Sequence, residues 1–283
     1  MNREPSQNIQ NAGALPVPDD CTALDIFAAT ARSLGLDPDN VWIGGYVDQQ
    51  WQRLPAILAA YGLEVSGKRV LEFGCNVGAS SVVLARLGAR VDAVDVSPRF
   101  LTLSRANAEL HGVDVNFQQI SGNRLPFEPA TFEFILCNSV LEYVGSDAVP
   151  EVMSELDRVL VAGGHILVTG TSNRLWPKEV HSRRWLMHWL PERVDNLLSR
   201  RPRERGVNPF AILTALGNSY NVIDIRDAGR AWLAARAAIN RTAHAPLRYR
   251  AVAGVARMLR IAPGCLVPNI SMNIEKQAGD RPK

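Results

Sequence analysis

Cysteine is scarce. The chain has four in 283 residues, Cys21, Cys75, Cys137 and Cys265, with no C-x-x-C pair and no histidine at metal-ligand spacing from any of them. A disulfide framework and a structural zinc are therefore excluded as organising devices, and a reduced, cytoplasmic setting is expected. Long apolar runs are missing too: nothing approaches the ~20 residues needed to span a bilayer. Residues 1–20, MNREPSQNIQNAGALPVPDD, lack the basic start and apolar stretch of a secretory signal and are expected to form a disordered tail. No internal repeat is visible.

What remains is ordinary in bulk and uneven in distribution. With 47% hydrophobic and 21% charged residues, the chain has the composition of a globular protein large enough to bury its own core. The net charge of +3 conceals two opposite halves. Residues 1–170 hold 20 acidic against 11 basic residues, a balance of −9, and residues 171–283 hold 8 against 20, a balance of +12.

Hydrophobic periodicity divides the chain. Residues 21–36 and 47–61 read as helices. From residue 68, short β-rich runs at 69–73, 90–94, 115–119, 132–137 and 165–170 alternate with helical stretches at 78–87, 98–111 and 147–160. Ser97-Pro98 and Gly163-Gly164 act as punctuation. Such alternation predicts an α/β fold: a mostly parallel sheet with helices on both faces. Two more strands are expected at 220–225 and 270–275, separated by a helical stretch over 228–262. The expected organisation is a tail (1–20), N-terminal helices (21–66), an α/β core (67–172), and a cap with a helical insertion and the last two strands (173–283).

The sharpest local signal is VLEFGCNVG, Val70 to Gly78, followed by VDAVDVSP, Val91 to Pro98. A buried strand enters a turn with Gly74 and Gly78 and then opens a helix, whose first N–H groups are available to a polar ligand. Asp95 ends the next strand, where a carboxylate can accept hydrogen bonds from both hydroxyls of a ribose. Two cofactor classes use this layout. A dinucleotide fingerprint wants G-x-G-x-x-G or A. The chain offers Gly74, Asn76 and Ala79, and an asparagine at the second position would crowd a pyrophosphate.

The pattern Glu72-Phe73-Gly74-Cys75-Asn76-Val77-Gly78 instead resembles motif I of the class I S-adenosylmethionine-dependent methyltransferases, small-molecule type. LPFEPATFEFILCNSVLEYV (Leu125 to Val144) resembles the family's fourth-strand segment, and ELDRVLVAGGHILVTGTSN (Glu155 to Asn173) its fifth. The resemblance implies a Rossmann-like seven-stranded sheet whose last strand is antiparallel. It implies S-adenosyl-L-methionine as cofactor and S-adenosyl-L-homocysteine as product. It places Glu72, Gly74, Cys75, Asn76 and Gly78 around the methionine moiety, and Asp95 on the ribose with Val96 and Ser97 beside the adenine. Gly122 and Asn123 stand where the family touches the adenine amine, and Asn138 on the sulfonium side. A relative acting on quinone precursors carries a metal-binding E-x-x-E-H, whereas Ser139, Glu142 and Tyr143 stand at those positions here. The implied transfer is therefore metal-independent.

Methyl transfer from a sulfonium is an in-line displacement that needs alignment and, for a hydroxyl acceptor, a base. His181 and Glu142 are the catalytic candidates; Tyr46, Trp51, Asn173 and Trp176 are the substrate-side candidates. The (D/N/S)-P-P-(Y/F/W) tetrapeptide of amino-group DNA methyltransferases is absent, which argues against a nucleic acid as acceptor. The expected acceptor is a small molecule, with an anionic or lipid-like compound and methylation at oxygen favoured. A cofactor-binding scaffold without catalysis and a nicotinamide-dependent oxidoreductase are the alternatives.

The basic half has its own features. Seven arginines face three acids between Arg183 and Arg205. On a helical wheel of Leu247–Ile261, Arg250, Arg257 and Arg260 lie opposite Val252, Val255 and Leu259. A basic amphipathic helix of this kind either contacts an anionic membrane surface or packs on the domain with a solvated face.

Overall fold

The computed structural model describes residues 21–145, 147–178, 180, 185–186 and 206–278. The expected tail and the candidate base His181 lie outside the described residues, as does most of the arginine-rich stretch.

Among the described residues, seven strands form one sheet in the order β3-β2-β1-β4-β5-β7-β6. The chain divides into two compact units, one running to Gln119 with Ala235–Ala243 added, the other taking Ile120–Ala234 and the residues from His244 on. The first unit holds α1 (Cys21–Ser33), α2 (Tyr46–Ala60), β1 (Arg69–Phe73), α3 (Ala79–Arg86), β2 (Arg90–Asp95), α4 (Pro98–Leu110) and β3 (Val115–Gln119). Its strands pair in parallel, with Val70 opposite Val91 and Ala93 opposite Phe117. Val70, Leu71, Ala93 and Val94 are wholly buried. That explains why these strands read as continuous apolar runs rather than alternating ones.

The second unit holds β4 (Phe132–Asn138), α5 (Leu141–Val144), α6 (Val149–Val159), β5 (Leu160–Ser172), α7 (Pro209–Leu216), β6 (Tyr220–Val222) and α8 (Ile223–Arg226). Helix α10 (Leu247–Leu259), a 3-10 turn at Pro263–Leu266 and β7 (Asn269–Lys276) complete it, while α9 (Arg230–Ile239) starts in this unit and ends in the first. Strand β5 runs parallel to β4 and antiparallel to β7, and β7 in turn is antiparallel to β6.

Three expectations about elements change. Gly163-Gly164 do not separate elements: they lie inside β5, in a register shift that sets Phe132 opposite Leu160 but Phe134 opposite His165. The strand expected at 220–225 ends at Val222, where the chain turns into α8. Asp224 on α8 is buried and accepts the Asn273 N–H at 3.0 Å, a bond available only once the strand has stopped. The helical stretch at 228–262 is two helices, interrupted by residues 240–246 around Pro246.

The end of β5 is pinned by Asn173. Its Nδ2 donates to the carbonyls of Cys265 (2.9 Å) and Val267 (2.8 Å), its Oδ1 accepts from Leu175 N, and its own N–H donates to Pro268 O. This fully buried side chain is therefore a clamp rather than the substrate contact expected from sequence. Asn173→Ala should lower stability by about 2 kcal/mol or more, because two buried carbonyls lose their donor. Urea unfolding checks this, and an unchanged midpoint with a raised acceptor KM would return Asn173 to the substrate.

Candidate active site

In the first unit the site is the turn between β1 and α3. The N–H groups of Gly74 and Cys75 both donate to Val94 O, at 2.9 and 3.0 Å, which ties the start of the turn to β2. At its end Gly78 has φ +74°, and an added Cβ would stand 2.8 Å from Ser104 Cβ and 3.1 Å from the Phe117 ring. Both the backbone and the packing demand glycine there. Between them Asn76 has φ +49°. Asparagine is among the few side chains that tolerate the left-handed region, so it can replace the glycine usual at this place without remodelling the turn. Its side chain is exposed and does not fill the turn.

Asp95 closes the arrangement. Its Oδ2 accepts Asn76 N at 2.8 Å and its Oδ1 accepts Ser97 N at 2.9 Å. Ser97 then caps α4 by accepting Phe100 N, with Pro98 at the first helical position. Each carboxylate oxygen keeps lone pairs for a further donor. Val96 beside it is exposed, with its carbonyl held by Gln119 Nε2 at 3.2 Å.

Glu72 sits deeper. Its buried carboxyl accepts the hydroxyl of Ser81 and is also hydrogen-bonded by Ser80 and by the Ser81 backbone, at the start of α3. Burial pushes its pKa up to about 7, against the pull of those donors. The structure thus places Glu72 under the turn, as its support. Cys75 is also buried, and the same desolvation pushes its thiol well above the usual range.

In the second unit the candidate residues lie at the carboxyl ends of β4 and β5. Asn138 ends β4 half-buried, and Ser139 follows with φ +51°, its N–H donating to Thr169 O at 2.8 Å. Gly170 opposite has φ +72°, and a Cβ there would run into Ser139 Oγ and lie 3.0 Å from Asn138 Oδ1. Backbone strain beside a required glycine at a strand's carboxyl end is a common mark of a functional position. Glu142 on α5 is buried. Trp176 is half-buried in the turn after Asn173. Asn123 spends its Nδ2 on Glu151 Oε2 at 2.8 Å, while Gly122 is exposed with φ +72°.

Residues 71–168 match a family model described as a methyltransferase domain. This segment is a class I S-adenosylmethionine-dependent methyltransferase domain. The chain is 40% identical over 80 residues to a ubiquinone biosynthesis O-methyltransferase of Methylocella silvestris, covering 28% of this chain and 31% of that one. It is 32% identical over 134 residues to the enzyme of the same name from Cereibacter sphaeroides, covering 46% and 53%. It therefore spans about half the length of these relatives or less. A solved S-adenosylmethionine-dependent methyltransferase from Mesorhizobium loti aligns over 80% of this chain and 97% of its own, with a TM-score of 0.49 and 17% identity.

The methyltransferase turn fits this cofactor on its own geometry. Asp95 retains acceptor capacity that two ribose hydroxyls would use, exposed Val96 would offer an apolar surface to a base, and the Asp95 carboxylate suits a cationic sulfonium better than a pyrophosphate.

Several contributors escaped sequence reasoning. Ser80 and Ser81 hold Glu72, and their only signal was polarity in an otherwise apolar helix start. Ser139 and Gly170 shape the end of β4; the glycine after a β-branched run was the available hint. Trp42 is exposed four residues before Tyr46, whose ring it meets edge-on at 5.5 Å. Tyr46 opens α2, with Trp51 half-buried on the same helix.

Because folding favours the protonated form of Glu72, its contribution to stability is complete below its ordinary value of 4.5 and is lost as pH rises through about 7. The span is on the order of 3 kcal/mol. Glu72→Gln should flatten that dependence in thermal melts across the window, and a parallel decline would show that Glu72 is not its source. Asp95→Ala should weaken S-adenosylmethionine binding at least about tenfold by isothermal titration while the circular dichroism spectrum persists. An unchanged Kd would refute its ribose role.

Proposed function

We propose that the protein transfers a methyl group from S-adenosylmethionine to an oxygen of a small molecule, a phenol, hydroxyl or carboxylate of a secondary metabolite or lipid-like intermediate. The observation that carries this reading is the Asp95 bridge across the left-handed turn, which presents a carboxylate with free acceptor capacity. Similarity to ubiquinone biosynthesis O-methyltransferases supports oxygen as the acceptor atom. The cofactor supplies an activated methyl on a sulfonium. Asp95 would orient it through the ribose, and Glu72 keeps the turn rigid from below.

Ser139, Glu142 and Tyr143, standing where quinone-acting relatives have E-x-x-E-H, support transfer without a metal. A phenol or hydroxyl acceptor then needs a side-chain base, and His181 is the proposed one. A panel of phenols, alcohols and carboxylic acids, read by product mass and S-adenosylhomocysteine release, tests the activity. Binding of S-adenosylmethionine without turnover on any of them would favour a scaffold, and preference for NADH would overturn the reading. With a phenolic acceptor, His181→Gln should lower kcat by about 10²-fold or more and leave the cofactor Kd unchanged. Equal kcat would remove His181 from the chemistry.

A further inference from the structure

The outer face of α10 is unusual for a helix on a globular surface. The helix reads LRYRAVAGVARML, and Arg260 follows in the left-handed conformation. Its inward residues are small or half-buried: Ala253 and Ala256 are buried, and Tyr249 meets Trp232 edge-on at 5.6 Å. At about 100° per residue, Leu247, Ala251, Gly254 and Met258 fall along one line, with Val255 beside it and Leu259 at its edge. Leu247 is 77% exposed, Met258 76%, Leu259 54% and Val255 46%.

Of the two readings of the helical wheel, packing of Val255 and Leu259 on the domain does not hold, because the buried residues of the helix are Ala253 and Ala256. An ordinary surface helix buries its large apolar side chains and exposes its polar ones; α10 buries the small and exposes the large. Arg250 and Arg257 border the apolar line on one side and Arg248 on the other, all exposed, and no acid occurs from Leu247 to Arg260.

We propose that α10 docks on an anionic lipid surface. Leu247 and Met258, with Val255 and Leu259, enter the boundary between headgroups and acyl chains. Arg250 and Arg257 lay their aliphatic stems along that boundary and meet lipid phosphates, while Arg248 holds its guanidinium over the Tyr249 ring at 4.8 Å. A bilayer suits this face better than a nucleic acid does. The centre is aliphatic, and the one aromatic ring of the helix, Tyr249, turns inward to Trp232 instead of offering a stacking surface.

The test is co-sedimentation of the full chain with vesicles of phosphatidylcholine alone, or of phosphatidylcholine mixed with phosphatidylglycerol, at low and high salt. At least about tenfold more protein should sediment with the mixed vesicles at low salt, and the difference should shrink at high salt. The double variant Leu247→Glu/Met258→Glu should lose at least about tenfold in partition with an unchanged thermal midpoint, since both side chains are already in water. Wild-type protein left in the supernatant with mixed vesicles at low salt would overturn the proposal, as would a double variant that sediments equally. Retention on single-stranded RNA without vesicle binding would overturn it in favour of a nucleic-acid partner. Dimerisation abolished by the double variant, again without vesicle binding, would assign the face to a second copy of the chain.

Discussion

The carboxylate of Asp95 accepts hydrogen bonds from the backbone of Asn76 and of Ser97, joining two loops that follow different strands. Both bonds involve an ionised acceptor, so each is roughly twice as strong as a neutral pair. One of them holds a non-glycine residue in the left-handed region, a conformation that costs about 1 kcal/mol or more and needs support from its surroundings. The other sets the start of α4. The same side chain therefore fixes the shape of the turn and presents the acceptor that a ribose would use. Glu72 supplies the matching restraint from the interior, holding the start of α3 through Ser80 and Ser81. A site built in this way is preorganised by hydrogen bonds between side-chain carboxyl groups and the backbone they hold.

The second unit solves a different problem, that of keeping polar chemistry at a buried strand end. Gly170 leaves space for the Asn138-Ser139 turn, and Asn173, two residues past the Thr171 register pair, satisfies the carbonyls that would otherwise be stranded between β5 and the Pro263–Leu266 turn. Asp224 does the same for the backbone of β7 at Asn273. Each is a polar residue spent on a main-chain group, so replacing any of them leaves a buried donor or acceptor unmet.

Much of this was legible in the sequence because periodicity reports burial. The boundaries of β1 and β3 agree residue for residue with the apolar runs, and α3 and α4 agree to within a residue or two, since glycine, serine and proline mark where regular hydrogen bonding must stop. The glycine turn and Asp95 were legible for a related reason, as backbone geometry leaves few residue choices there. What escaped was set by tertiary contacts. Nothing local distinguishes Asn173 as a clamp from Asn173 as a ligand, because its partners lie more than 90 residues on. Nor does the pattern of α10 announce that its alanines face inward, since a helical wheel knows hydrophobicity but not the distance to the neighbouring turn. The short β6 was overextended for the same reason: Ile223 and Ile225 have strand propensity, and the buried Asp224 carboxylate overrides it.

The strand order carries a consequence for synthesis. β7 lies between β5 and β6, although β6 precedes it in the chain by some fifty residues. Among the described strands β6 pairs only with β7, so on the ribosome it emerges with no neighbour, and β5 meanwhile exposes the edge reserved for β7. The nascent chain must carry an open, apolar sheet edge through the translation of α9 and α10, the interval in which unpaired strands invite association with other chains. The sheet can therefore be completed only once Asn269–Lys276 has been made.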